Sequence, residues 1–265
     1  MASASALRIE IERSLENRFP AALTPAPKSY REVATTGVAA VDALLEGGFP
    51  VGAISEVMGP NSSGRTSLIL AFLAQRTEAG QVCAWVDVAD AFDPESAAAS
   101  GVDLKQLLWV RCGESKAALK PLPTTNPAWK TKDKPWTRLD QALRTVDLLL
   151  QAGGFSAIVL DLGATEPKDA MRIPLATWFR FRQAADRTRC SLIVLGKAAY
   201  AQSSAAVLLE CSAYRIEKTG NTVMQPCTFE VRRGRQRFTS QLMSARKPPA
   251  SIWSASAAWD AARRA

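Results

Sequence analysis

Nine consecutive residues, Gly59-Pro60-Asn61-Ser62-Ser63-Gly64-Arg65-Thr66-Ser67, hold the strongest chemical pattern in the chain. Gly59 and Gly64 enclose four residues, and Thr66 follows at the spacing of a phosphate-binding loop. In that motif backbone N–H groups cradle a phosphate and a hydroxyl reaches a metal ion. Arg65 stands where the motif has lysine. Gly59, Ser62, Ser63, Gly64, Arg65, Thr66 and Ser67 are therefore candidate phosphate contacts. The alternative is a tight strand-to-helix connection without a ligand. Further on, Phe155-Ser156-Ala157-Ile158-Val159-Leu160-Asp161 is an apolar run ending in a carboxylate. After a phosphate loop, such an aspartate is expected to hold a magnesium ion or its water beside the phosphates. Thr66 and Asp161 are the candidate metal ligands.

The rest of the composition narrows the chemistry. There is no histidine, which removes histidine bases, Ser–His and Cys–His nucleophile pairs and histidine metal sites. The five cysteines are scattered and form no CxxC; buried thiols in a reducing cytoplasm are expected. No apolar run approaches the roughly 20 residues that span a bilayer, so no membrane partner is expected. Residues 1–6 lack the basic start and apolar core of a secretory leader. The net charge of +8 in 265 residues is compatible with nucleic acid.

These residues need elements to position them. Ala53 to Met58 reads as a strand leading into the glycine loop, and Ser67 to Ala74 as the helix leading out. That order aims a helix N-terminus at an anion. Upstream, Leu7, Ile11, Leu15 and Phe19 recur every four residues, an amphipathic helix. Pro20, Pro25 and Pro27 end it in an extended linker, and the helix docks either on its own core or on a partner. Val38 to Leu45 is a short helix closed by Gly47-Gly48. Strands follow at Gln81 to Asp87, Leu107 to Val110, Phe155 to Asp161 and Ser191 to Gly196, with helices at Arg138 to Gln151 and Ile173 to Ala185 between them. Ala206 to Cys211, Ala213 to Glu217 and Thr228 to Arg233 read as three further strands, with a hairpin-like turn at Lys218-Thr219-Gly220-Asn221. Alternating strands and helices followed by a strand meander predict an α/β domain with a mainly parallel sheet, helices on both faces and antiparallel strands at the C-terminal end.

Two basic stretches stand apart. Gly113 to Trp136 carries Lys116, Lys120, Lys130, Lys132 and Lys134 with Trp129, Trp136 and four prolines. Lysines interleaved with tryptophans can grip single-stranded DNA by charge and stacking; the alternative is a solvated loop pinned by its tryptophans. Arg232, Arg233, Arg235 and Arg237 form the second stretch. Arg233 and Arg235 lie on alternate strand positions and are expected to share one face, as a phosphate-facing pair or as a solvated hairpin face.

Residues 36–112 resemble the ATP-binding core of the RecA recombinase family. Thr36-Gly37, Asp42, Gly47-Gly48, Pro50, Gly52, Gly59-Pro60, Ser62-Ser63-Gly64, Thr66, Asp87, Asp93-Pro94 and Gly101-Val102-Asp103 follow that family's order and spacing. The resemblance continues more faintly to about residue 240 and looks nearest to the RecA-like mutagenesis proteins of the ImuA family. It implies a RecA-like P-loop core binding ATP and Mg2+, without RecA's separate C-terminal domain. It also implies a cytoplasmic accessory role in the DNA-damage (SOS) response and translesion mutagenesis, beside RecA or an ImuB-like polymerase homologue. The rival it implies is a working DNA-dependent ATPase that forms filaments on single-stranded DNA.

The departures from RecA concern turnover. The family's water-activating glutamate corresponds to Ala89, with Asp90 one position out of phase. Its phosphate-sensing glutamine corresponds to Lys197, which adds a second candidate cation at the phosphates. The DNA-binding loop after that strand is cut short at Ala198 to Ala205. Arg233-Gly234-Arg235 matches a pair of lysines that reach the ATP of the next protomer. The expectation is weak or absent hydrolysis on a retained scaffold. The expected divisions are an N-terminal helix and linker over 1–35, the core over 36–245 with the insertion 113–137, and a tail helix over 246–265, where Ile252 and Trp259 share one face.

Overall fold

The computed structural model describes residues 29–113, 137–215, 218–219, 223–224, 227–239 and 250–255. The amphipathic segment from Leu7 to Phe19 lies outside these residues, as do Lys130 and Lys132.

The centre is an eight-stranded sheet. In chain order its strands are β1 (Ile54–Met58), β2 (Cys83–Asp87), β3 (Leu107–Arg111), β4 (Ala157–Asp161), β5 (Ser191–Gly196), β6 (Ala205–Arg215), β7 (Cys227–Gln236) and β8 (Ala250–Ala255). Their spatial order is β8-β7-β6-β1-β5-β4-β2-β3. The pairs from β6 across to β3 are parallel, and β6, β7 and β8 pair antiparallel. β2, β4 and β5 are near-continuous apolar runs because both of their faces are covered, while β1 buries Ser55 and Glu56 among its apolar residues.

Helices α1 (Ala39–Leu45) and α2 (Arg65–Glu78) cover one face. There Val57, Trp85, Val159 and Ile193 pack against Leu44, Leu68 and Phe72. Helices α4 (Arg138–Ala152) and α5 (Leu175–Thr188) cover the other, where Ile158, Leu160 and Leu192 meet Val146, Leu150, Trp178 and Phe181. Between the two pairs, α3 (Pro94–Ala99) is a short helix capped by Asp93. A capping box starts α4: the Asp140 N–H donates to Thr137 Oγ1, and the Thr137 N–H donates back to Asp140 Oδ2. No described helix is long and apolar enough to cross a membrane.

The mainly parallel sheet with helices on both faces and antiparallel C-terminal strands is the architecture the pattern predicts. Three local expectations change. First, the packed domain begins before residue 36. Val33–Ala34 pairs antiparallel with Phe49–Pro50, Ala34 is buried, and Arg31 donates to the Gly52 carbonyl and to Asp186. Gly48 has φ +138°, and a Cβ there would strike the Ala34 carbonyl; that close approach is what the second glycine after α1 provides. Second, the two strands expected over 206–217 are one, β6. Lys218–Thr219, expected as a turn, pairs with Val223–Met224. Third, residues 250–255 of the expected tail helix are a strand. β8 pairs with β7 from Cys227↔Ala255 to Arg232↔Ala250. Trp253 turns inward onto Phe229, ring centroids 5.2 Å apart, while Ile252 faces out. Alternation and pairing override the helix propensity of an alanine-rich segment.

Candidate phosphate-binding site

The glycine loop joins the carboxyl end of β1 to the first turn of α2, as the strand–loop–helix reading requires. Its shape depends on two residues in left-handed backbone, Ser62 (φ 58°) and Gly64 (φ 82°). A Cβ on Gly64 would lie 2.6 Å from the Phe229 ring, so the loop rests directly on β7. The Ser63 hydroxyl is buried without a hydrogen-bond partner, whereas Ser62 and Thr66 are exposed and Ser67 is half-buried. The start of a 14-residue helix points its free N–H groups and the positive end of its dipole out of the loop.

A cleft of about 440 Å³ opens beside the loop and gathers four of the candidates: Arg65, Thr66, Asp161 and Lys197 all line it. Trp85 borders the same cleft, and its indole N–H is buried without a partner. Gly59, Ser62, Ser63, Gly64 and Ser67 form the loop and helix start beside it. A second cleft of about 620 Å³, bordered by Arg138, Glu166 and Arg172, shares Ala89 and Ala164 with the first.

Arg65 does not extend freely into the cleft. Its side chain is buried, and Nη1 donates to the Gly196 carbonyl at the end of β5. Burial pushes its pKa down, opposed chiefly by the charge of Asp161. Asp161 ends β4 and accepts from the Gly163 N–H at 2.8 Å. Burial pushes its carboxyl up; the Gly163 bond opposes that, Asp87 adds to it, and Arg65 opposes it.

Asp87, at the end of β2, is fully buried and accepts from the N–H groups of Ala89, Ala91 and Phe92 and from Trp109 Nε1. Sequence reasoning gave it no role. Its signal was local: an aspartate closing a strand before a tight turn takes the backbone N–H groups just ahead of it. Ala89, which the resemblance to RecA matches to a water-activating glutamate, lines the cleft. Asp90 is turned away, but not by strand alternation, because β2 has already ended. It sits at φ 58° and holds Arg111 through two bonds of 2.6 Å; the hydrogen bond from Arg111 holds its carboxyl below the usual range.

The arginines of β7 do not share a face. Arg233 lies opposite Leu209 and Arg235 opposite Leu208, so Gly234 is the extra residue of a β-bulge, which re-aims the side chains beyond it. Arg233 donates to the Leu44 carbonyl on the α1 side. Arg235 turns to the other side, where it donates to the Gln202 carbonyl and lies 3.8 Å from Glu56. Arg237 donates to the Ser203 carbonyl. The short segment after β5 is thus held by side chains of its own fold: Glu56 Oε1 also accepts the N–H groups of Tyr200 and Ala201.

The loop and the helix start fit a phosphate group. The metal position fits poorly, because a guanidinium already stands beside Asp161. Among the described residues no cluster of metal-ligating side chains occurs. Cys83, Cys190 and Cys211 are buried thiols pushed up to about 12, and Cys112 to about 11.

Comparison with known proteins agrees with this geometry. Residues 4–123 match the family model of the RecA N-terminal domain. Protein RecA of Crocosphaera subtropica is 38% identical over 111 residues, 42% of this chain and 32% of that protein. Protein RecA of Ruegeria pomeroyi is 35% identical over 142 residues, 53% of this chain and 34% of that protein. The chain thus spans about a third of the length of these curated relatives. The crystal structure of the RadB recombinase superposes with a TM-score of 0.55 at 18% identity, covering 84% of this chain and 94% of that one. The chain is thus similar in sequence to RecA proteins over part of its length, and similar in fold to the RadB recombinase.

Proposed function

We propose that the chain is a RecA-like accessory factor of bacterial DNA repair, acting in the DNA-damage (SOS) response and translesion mutagenesis in the cytoplasm. Its degenerate nucleotide fold serves as a scaffold for a RecA filament, an ImuB-like polymerase homologue, or both. The similarity to RecA proteins and to a recombinase supports the broader repair and recombination role. The observation that carries the narrower reading is Arg65, bonded to the carbonyl of Gly196 instead of free over the cleft. Phosphoryl transfer to water needs a cation on the terminal phosphates and a group that orients the water. Here the cation is turned onto the chain's own backbone, and Ala89 stands in the orienting position. An arginine cannot replace the compact ammonium of lysine in that role. The phosphate-facing role expected of Arg233 and Arg235 loses support, since both bind carbonyls of their own chain.

The test is ATP turnover by the purified chain with and without single-stranded DNA, paired with co-sedimentation on RecA filaments and with a polymerase homologue. The expected result is background turnover and specific co-sedimentation. The second reading, a DNA-dependent ATPase, draws on Thr66, Asp161 and Lys197 lining one cleft; turnover stimulated by DNA would establish it instead.

A further inference from the structure

We propose that the cleft takes a phosphate-bearing ligand without a divalent metal ion, Arg65 supplying the cation that stands beside Asp161. This rests on the reading of Gly59 to Thr66 as a phosphate loop. A Cβ built on Gly163 would lie 3.0 Å from Asp161 Oδ1 and 3.6 Å from Arg65 Nη2, so carboxylate and guanidinium flank the same turn. Arg65 is 9% exposed and anchored to the Gly196 carbonyl, which fixes the charge there. A divalent ion held by Asp161 would share this turn with the buried positive charge of Arg65, and like charges repel. The same fixed charge attracts phosphate oxygens, as do Lys197 in the cleft lining and the free N–H groups of α2. Trp85 borders the cleft, and its indole N–H is buried without a partner.

The two kinds of site differ in the sign of what Asp161 does. In a metal site the carboxylate assists binding by holding the ion. In a metal-free site it is a negative charge facing an anion, offset only in part by Arg65, and removing it helps. Calorimetry with ATP and with inorganic pyrophosphate, in excess Mg2+ and in EDTA, tests this on the whole chain. The wild type is expected to bind equally in both buffers, within about threefold, and Asp161→Asn to bind about three- to tenfold tighter. Arg65→Lys withdraws the planar group from Gly196, and its binding is expected to become tighter in Mg2+ than in EDTA. A thermal melt of each variant establishes that it is folded. Binding that weakens tenfold or more in EDTA, or that weakens in Asp161→Asn, overturns the metal-free site and leaves the phosphate loop standing. Absence of binding in both buffers overturns the phosphate reading itself, and this proposal with it.

Discussion

Glu56 and Arg235 form a tie beneath the segment that follows β5. Glu56 Oε2 lies 3.8 Å from Arg235 Nη2, and Oε1 accepts the N–H groups of Tyr200 at 2.5 Å and Ala201 at 2.7 Å. Glu56 is almost wholly buried, while Arg235 keeps one side to solvent. Arg235→Ala would leave a buried carboxylate facing no cation and free the Gln202 carbonyl. The expected loss is about 1–3 kcal/mol, less than for a fully buried pair because Arg235 is partly solvated. Arg233→Ala, which costs a bond to the Leu44 carbonyl, should lower stability by about 1 kcal/mol. Urea unfolding midpoints measure both. If neither variant moves its midpoint, the arginines serve the surface and not the fold.

Burial pushes the Glu56 carboxyl above its ordinary value of 4.5; the Ala201 and Tyr200 N–H groups and the charge of Arg235 oppose the shift. A group with a raised folded pKa holds its proton more tightly in the native state. Its contribution is therefore fully present below about pH 4.5 and is lost as pH rises through the folded value. Subtracting the unfolding free energy of Glu56→Gln from that of the wild type should give a difference that declines with pH across that window. A difference that rises with pH would mean that the Arg235 charge and the two N–H bonds outweigh burial.

The two halves of the site were not equally legible in the sequence. The glycine loop, the strand ending at Asp161 and the parallel order of the core arise from local patterns: glycine spacing, apolar runs of strand length, and helix periodicity between them. Ala89 and Lys197, singled out by the resemblance to RecA, also line the cleft. The features that escaped depend on partners distant in sequence. The direction of Arg65 is set by a carbonyl 131 residues away. The split between Arg233 and Arg235 is set by one extra residue in the register against β6, which alternation along β7 alone does not contain. Residues 250–255 look helical by composition and become a strand because β7 offers an edge and Phe229 offers a ring.

That last case gives the sharpest test of the fold. Trp253 is 7% exposed, and it packs on Phe229, the ring that in turn supports Gly64 of the phosphate loop. An aromatic side chain of this size removes about 150–250 Å² from water, which at about 25 cal/mol per Å² is roughly 4–6 kcal/mol before entropy is counted. Ending the chain after residue 249 removes the whole strand and exposes the edge of β7; ending it after residue 255 keeps the strand. The shorter chain is expected to melt many degrees lower, and to lose phosphate binding if the loop needs Phe229 beneath it. The longer one is expected to melt near the full-length value. Trp253→Ala should fall between them, with a cost of about 3–5 kcal/mol. Melting temperatures that coincide for the full-length chain and the one ending at 249 would show that β8 adds nothing to the core. Residues 250–265 would then return to the role of a segment that docks on a partner.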